Sequence, residues 1–251
     1  MRLLILSDIH SNLEALEACL AVAPPHDAVA NLGDVVGYGA SPNEVVERVR
    51  GLGKIFVRGN HDRVCSGIGE TNDFNPVAGM AALWTRKKLT PENCAWVAGL
   101  PKGPILNAEW PDTQFVHGSP LDEDGYIMTE PMAEIAMDAS PCSNTFFGHT
   151  HMQGMLVVTN CRVVMSRSEM KDRTRMEQEI IQLPRGTKCL VNPGSIGQPR
   201  DGDPRAGFAI YDSSENEFTF YRVPYDVAKA QQRILRAGLP ERLAFRLSEG
   251  R

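Results

Sequence analysis

The chain has 251 residues, 42% of them hydrophobic and 23% charged, with a formal net charge of −5. That length can bury a sizeable core, and the composition is ordinary for a globular protein. The acidic balance lacks the footprint of a protein that grips nucleic acid by its backbone. No apolar run approaches the ~20 residues of a membrane span, and the run within residues 1–8 is too short for a signal peptide. None of the six cysteines forms a C-x-x-C pair. They read as reduced thiols of a cytoplasmic protein rather than as a disulfide framework or a zinc knuckle.

In chain order, residues 3–6 form an unbroken apolar run and predict a central parallel strand. Ser11 or Asn12 caps a helix over 13–22, with Leu13, Leu16 and Leu20 on one face, and Pro24-Pro25 stops it. A second strand covers 27–32. Ser41-Pro42 opens a helix to about residue 50, and a third strand covers 54–57. This alternation predicts an α/β sheet. Residues 65–74 form a polar loop. Asn75-Pro76 and Thr90-Pro91 open two more helices, with Trp84 and Trp96 as core anchors.

From Ile105 onwards the rhythm changes to short strands: 105–108, 113–116, 144–147, 155–158 and 162–165. One helix, 131–137, interrupts them, and Thr159-Asn160-Cys161 reads as a hairpin turn. The charged stretch 166–177 predicts a solvated tip. Strands at 179–183, 189–192, 208–211 and 217–222 are expected to complete a second sheet, followed by a helix over 226–235 and a short terminal helix. No linker or repeat divides the chain. The expectation is one domain over 1–251, with the donor-bearing motifs in 1–165 and the second-sheet strands and last helices in 175–251.

Polar residues of one kind recur where these strands end. Asp8-Ile9-His10 follows the first strand, Gly33-Asp34 the second and Gly59-Asn60-His61-Asp62 the third. His117-Gly118 and Gly148-His149-Thr150-His151 follow two later ones. Five of the six histidines lie in these places. Packing histidines would not choose strand ends so consistently, and that edge of a parallel sheet is where ligands bind. Asp8, His10, Asp34, Asn60, His117, His149 and His151 make seven mixed N and O donors. One zinc site would use three or four. Seven suit two divalent ions about 3.5–4 Å apart that share a carboxylate. Manganese is the leading candidate, and iron, zinc, cobalt or nickel also fit an imidazole–carboxylate set. Two such ions would generate a hydroxide at neutral pH and offset phosphate charge, which points to phosphoester hydrolysis. His61, beside Asn60, is the natural general acid.

These motifs resemble, in order, the five motifs of the calcineurin-like metallophosphoesterases. Asn192-Pro193-Gly194-Ser195 resembles a strand end of that superfamily's small bacterial and archaeal phosphodiesterase branch. The resemblance implies a four-layer αββα sandwich of two mixed sheets flanked by helices. It also implies one metal on Asp8, His10, Asp34 and His151, and a second on Asp34, Asn60, His117 and His149. His61 would take the acid or phosphate-stabilising role. Protein phosphatases and symmetrical diadenosine tetraphosphatases carry an arginine shortly after Gly-Asp. Here that stretch is Val35-Val36-Gly37-Tyr38-Gly39. Arg200 or Arg205 could supply a substitute grip on substrate, with Asn60 and His61 as further substrate contacts.

The expected function is therefore hydrolysis of a phosphodiester or phosphomonoester in a small or nucleotide substrate. The alternative is an asymmetrical dinucleoside-polyphosphate hydrolase. A non-catalytic metal-binding scaffold, like the retromer subunit that resembles this fold, is more remote because every ligand position is filled. No membrane partner is expected, and a homo-oligomer is left open.

Overall fold

The computed structural model describes residues 1–159, 162–167, 170–183 and 186–251. Its first strand sets the layering. β1 (Arg2–Leu6) is buried on both faces beyond its first residue. Side chains alternate along a strand. Leu3 and Ile5 therefore enter one apolar cluster, and Leu4 and Leu6 enter another.

The chain continues through α1 (Leu13–Val22), β2 (Ala28–Asn31), α2 (Pro42–Arg50), β3 (Ile55–Phe56), α3 (Asn60–Cys65), α4 (Pro76–Lys88), α5 (Pro91–Ala98), β4 (Ile105–Asn107) and β5 (Trp110–Phe115). Then come α6 (Glu130–Ala139), β6 (Asn144–Phe146), β7 (Gly154–Thr159), β8 (Arg162–Arg167), β9 (Glu177–Gln182), β10 (Cys189–Asn192), β11 (Ala206–Asp212), β12 (Glu217–Val223), α7 (Val227–Arg236) and α8 (Glu241–Glu249). Asn12 caps α1, its Oδ1 accepting from the Ala15 amide.

Two mixed six-stranded sheets result, in the orders β3-β2-β1-β11-β12-β9 and β4-β5-β6-β10-β7-β8. β1, β2 and β3 run parallel, as do β5, β6 and β10. The sheets face each other across a core that includes Leu3, Ile5, Phe146, Val191 and Phe218. The other face of the first sheet packs on α1 and α2 through Leu4, Leu16, Val45 and Phe208. Leu156 and Leu190 of the second sheet pack against Ala133 and Ala136 of α6. α4, α7 and α8 form a further cluster that includes Tyr38. This is an α/β architecture of two mixed sheets with helices outside.

Two expectations are corrected. The C-terminal strands do not all join the second sheet. β11, β12 and β9 extend the first sheet beside β1, and only β10 enters the second, between β6 and β7. Apolar runs reveal which strand faces are buried, but not which neighbour each strand pairs with. Asn60 also opens a helix, so α3 takes up the start of the expected 65–74 loop. The charged stretch is exposed at residues 171 and 173–176, in line with a solvated tip, and Arg205 Nη1 ties it to the fold by donating to the carbonyls of Asp172 and Arg175. β7 and β8 pair as a hairpin, although turn residues 160 and 161 lie outside the described residues. Trp84 and Trp96 are partly buried and pack against core clusters as anchors; Trp110 on β5 is the fully buried tryptophan.

Phe218 joins the sheets. Its ring stacks on Tyr211 at 4.6 Å and meets Phe146 of the opposite sheet edge-on at 5.5 Å. Phe218→Ala is expected to cost about 3–5 kcal/mol in chemical denaturation, since both the ring and the space it fills are lost.

Candidate metal centre

The polar strand-end residues converge at one edge of the sandwich. Loops after β1, β2, β5 and β6 deliver Asp8 and His10, Asp34, His117, and His149 and His151, while α3 opens with Asn60 and His61. Asp8, His10, Asp34, His149 and His151 all adopt left-handed backbone, with φ between 47° and 65°. Each such residue costs roughly 1–2 kcal/mol, and such strain gathers at functional sites. Neighbouring loops hold these turns in place. The His10 amide donates to the Asp34 carbonyl, the Gly148 amide to the His117 carbonyl and the Gly197 amide to the Asp8 carbonyl. Asn192 donates to the Gly148 carbonyl and the Thr150 hydroxyl, and Ser195 Oγ to the Asp8 carbonyl. Close approach also requires glycine. A Cβ on Gly59 would lie 2.1 Å from Asp34 Oδ1.

Two donor groups emerge. Asp8, His10, Asp34 and His151 offer ligand atoms all within 4.8 Å of one another, and so do Asp34, His117 and His149. Asp34 belongs to both. Its Oδ2 lies 3.5 Å from His10 Nε2 and 3.5 Å from His117 Nε2. Asn60 Oδ1 is 3.3 Å from His117 Nε2, and Asp8 Oδ1 is 3.2 Å from His151 Nε2. Except for the part-buried Asn60, all of these residues are buried.

Hydrogen bonds fix which ring nitrogens are free. A carbonyl only accepts, so the nitrogen facing it carries the proton. His10 Nδ1 faces the Val36 carbonyl, His117 Nδ1 that of Leu32, His151 Nδ1 that of Gln198, and His149 Nε2 that of Asp124. The remaining nitrogens point toward the cluster, and in the neutral rings of His10, His149 and His151 they present lone pairs. His10 Nε2 and His151 Nε2 then oppose each other at 3.1 Å. Two lone pairs at that distance repel, and a cation between them removes the conflict. Nitrogen ligands tethered by outer carbonyls and joined by buried carboxylates are the donor chemistry of a divalent metal.

Ionisation follows the same logic. Burial lowers His149 to about 3 and His61 to about 4, and it holds His10 well below the ordinary histidine range. Burial also pulls on His117, but the charge and hydrogen bond of Asp34 outweigh it, so His117 rises to about 10. A proton thus collects on His117 where a cation would satisfy Asp34. Burial opposes the charged form of Asp8 and Asp34, yet the surrounding imidazoles hold both below the usual carboxylate range. Asp62 goes the other way. Burial and the Asp34 charge raise it to about 7, although it accepts from the Gly59 and Val36 amides.

A cavity of about 90 Å³ opens beside the cluster, with Asp34, Asn60, His61 and Arg200 on its walls. Aromatic rings, unmarked by any sequence motif, complete those walls. Tyr126 stacks on His149 at 4.0 Å, Phe74 packs on His61 at 4.5 Å, and Tyr38 sits between His61 at 4.3 Å and His10 at 4.7 Å. Only Tyr38, in the glycine-flanked stretch after Asp34, carried a usable signal. Arg200 Nη2 reaches the Tyr38 hydroxyl at 3.5 Å, so a guanidinium stands over the stretch that lacks its own arginine. Arg205 does not reach the cavity. Its side chain is 1% exposed and pairs with Asp203 and Glu177, because the Asp203-Pro204-Arg205 turn folds the guanidinium back under residues 170–177.

Comparison with known proteins agrees with this geometry. The calcineurin-like phosphoesterase superfamily domain matches residues 1–216. The chain belongs to that superfamily. An uncharacterized protein of Methanocaldococcus jannaschii is 35% identical over 250 residues, covering 98% of this chain and 97% of its own. The crystal structure of a metallophosphoesterase from Sphaerobacter thermophilus is 38% identical, covers 100% of this chain and 99% of its own, and superposes with a TM-score of 0.87. A hypothetical protein from Pyrococcus horikoshii shares the fold, with a TM-score of 0.75 at 21% identity and coverage of 100% and 98%. Within such a family the buried Asp/His cluster is a divalent-metal site.

Arg205→Ala would leave Asp203, Glu177 and several carbonyls without their buried partner. The expected loss is about 3–5 kcal/mol in urea denaturation. Turnover per folded molecule should hold; a selective loss of turnover at full stability would return Arg205 to the site.

Proposed function

We propose that this protein is a dinuclear, metal-dependent phosphoesterase that hydrolyses a phosphodiester or phosphomonoester bond of a small or nucleotide substrate. The observation that carries this reading is the Asp34 carboxylate, shared between two donor groups and equidistant from His10 and His117. In the proposal, Asp8, His10, Asp34 and His151 hold one ion, and Asp34, Asn60, His117 and His149 hold the other. Manganese is the foremost candidate. When bound, the ions supply Lewis acidity that makes water nucleophilic at neutral pH and offsets phosphate charge.

The chain's own residues do the rest. Outer carbonyls hold the other ring nitrogens and keep the ligating ones aimed inward, and an ion would displace the proton on His117. Tyr38, Phe74 and Tyr126 narrow the approach and exclude water. Asn60, His61 and Arg200 face the phosphate. His61 is neutral near pH 7, since burial holds it at about 4. Its proposed part is accordingly a neutral N–H donor to a phosphate or leaving-group oxygen rather than an imidazolium acid. A second reading, asymmetrical hydrolysis of a dinucleoside polyphosphate, is favoured by Arg200, a cation beside the cluster suited to a further phosphate.

Elemental analysis of protein purified without chelator is expected to give about two metals per chain. Manganese should stimulate cleavage of bis-p-nitrophenyl phosphate, with p-nitrophenyl phosphate as the monoester comparison. Asp34→Asn should lose metal and at least 10³-fold of turnover, because it disturbs both donor groups. Full activity in that variant would sink the assignment. With diadenosine tetraphosphate, ATP plus AMP supports the second reading, and ADP alone excludes it.

His61→Ala is expected to lower kcat by 10²–10³ with metal content retained, the loss typical of one removed donor. His61→Gln, which keeps an N–H donor, should recover part of that loss. Equal losses in the two variants would argue for a titrating acid instead.

A further inference from the structure

Two arginines from distant parts of the chain converge on Tyr38. The Arg200 Cζ lies 5.8 Å from the Tyr38 ring centroid, and the Arg246 Cζ, carried by α8, lies 6.0 Å from the same centroid. Among the described residues, neither guanidinium has an Asp or Glu carboxylate within 4.0 Å. Arg200 donates from Nη2 to Gln198 Oε1 and the Tyr38 hydroxyl, and its buried Nε has no partner. Arg246 donates its Nε to the Arg251 main-chain oxygen, leaving its terminal nitrogens without a protein acceptor among the described residues. Asp73 also lines the cavity but stays beyond ion-pair distance of both.

Like charges brought together in partial burial repel, and a protein does not normally leave them without an anion. The repulsion registers on Arg246. Burial first, and then the charge of Arg200, pull it down to about 10 against the opposing effect of Tyr38, with a lesser pull from Arg242. Other arginines of similar burial here do have carboxylates. Arg58 and Arg63 share Glu123, and Arg222 pairs with Asp201. Arg200 lines the cavity of the proposed phosphate site and is bound to it through its amide, which donates to the His151 carbonyl, while Arg246 adjoins that cavity through Tyr38, one of its wall residues.

We infer that Arg200 and Arg246, set against Tyr38, form a second anion subsite that receives a phosphate beyond the one held at the metal cluster. The substrate class is then one with at least two linked phosphates, such as a nucleoside di- or polyphosphate or a dinucleoside polyphosphate, rather than a singly charged diester. Guanidinium groups suit this task because they give several donors in one plane to phosphate oxygens. Tyr38 serves as the floor that keeps both heads apart and oriented. The inference rests on the phosphoesterase reading for the position of the first phosphate.

The test is equilibrium binding, so it does not depend on turnover. AMP and the non-hydrolysable α,β-methylene-ADP are titrated by calorimetry into manganese-loaded protein. Wild type is expected to bind the diphosphate analogue at least roughly tenfold more tightly than AMP, the scale of a charged hydrogen-bond pair. Arg246→Gln should collapse that ratio toward one, and Arg246→Lys, which keeps the charge, should retain part of it. A ratio unchanged in Arg246→Gln overturns the subsite, as does a wild type with no preference. If the wild type prefers the diphosphate yet hydrolyses no phosphoester, the catalytic reading fails while the subsite stands.

Discussion

The structure depends on a buried carboxylate that no single neighbour can satisfy. Asp34 lies between His10 and His117, each offering a lone pair when its other nitrogen is bonded to a carbonyl. The His61 amide donates to Asp34 Oδ1, but Oδ2 faces ring nitrogens on both sides, and burying its charge there is costly unless something positive stands at the centre. Without an ion, that something is a proton on His117. With an ion, the bare nitrogens of His10, His151, His117 and His149 become ligands without any ring having to turn. Apart from the proton on His117, which an ion would displace, the ring orientations are those that metal binding needs. Metal and proton compete for the same place, and acid should weaken the proposed binding.

That arrangement constrains the backbone. Five of the converging residues are held in left-handed conformations, and glycines at 59, 148 and 197 sit where any side chain would strike a neighbouring carboxylate, hydroxyl or carbonyl. Such turns do not hold themselves. They persist because loops from different strands bond to one another, above all the Asn192–Gln198 segment, which supports Asp8, the Gly148 turn and His151. The core between the sheets fixes where those strands end. Chemistry at the edge and packing in the centre are coupled through backbone hydrogen bonds rather than through side-chain wires.

The sequence made much of this legible, for a physical reason. Donors at strand ends are local facts, since a run of apolar residues and the polar residue after it are adjacent in the chain. The convergence of Asp8, His10, Asp34, Asn60, His117, His149 and His151 on one edge then follows from parallel strands sharing a direction. Partnership between distant strands is not local. β11 and β12 carry the same alternation whichever sheet they join, so their pairing beside β1 was invisible. Arg205 and Arg200 looked alike in one Pro-Arg-Asp-Gly-Asp-Pro-Arg stretch. Only the fold separates them, sending one guanidinium under residues 170–177 and the other over Tyr38. The carbonyls that set each imidazole have no sequence signature, and the aromatic walls from Phe74 and Tyr126 lie in loops without a pattern.

Arg246 was the least visible of all. On α8 it reads as one more charged position of an amphipathic helix, and nothing at that distance in the chain ties it to Asp34. Its meaning arises from charge distribution. The protein is acidic as a whole, so cations left over at one place are a local choice and not an average. Around the metal cluster the negative charge is committed to the proposed ions, and Glu123 and Asp201 are paired with other arginines. What remains around Tyr38 is two guanidiniums. A substrate with a single charged group would satisfy the cluster and leave that pair repelling. A substrate with a chain of phosphates would satisfy both, which makes the length of the anionic chain the property this pocket is shaped to read.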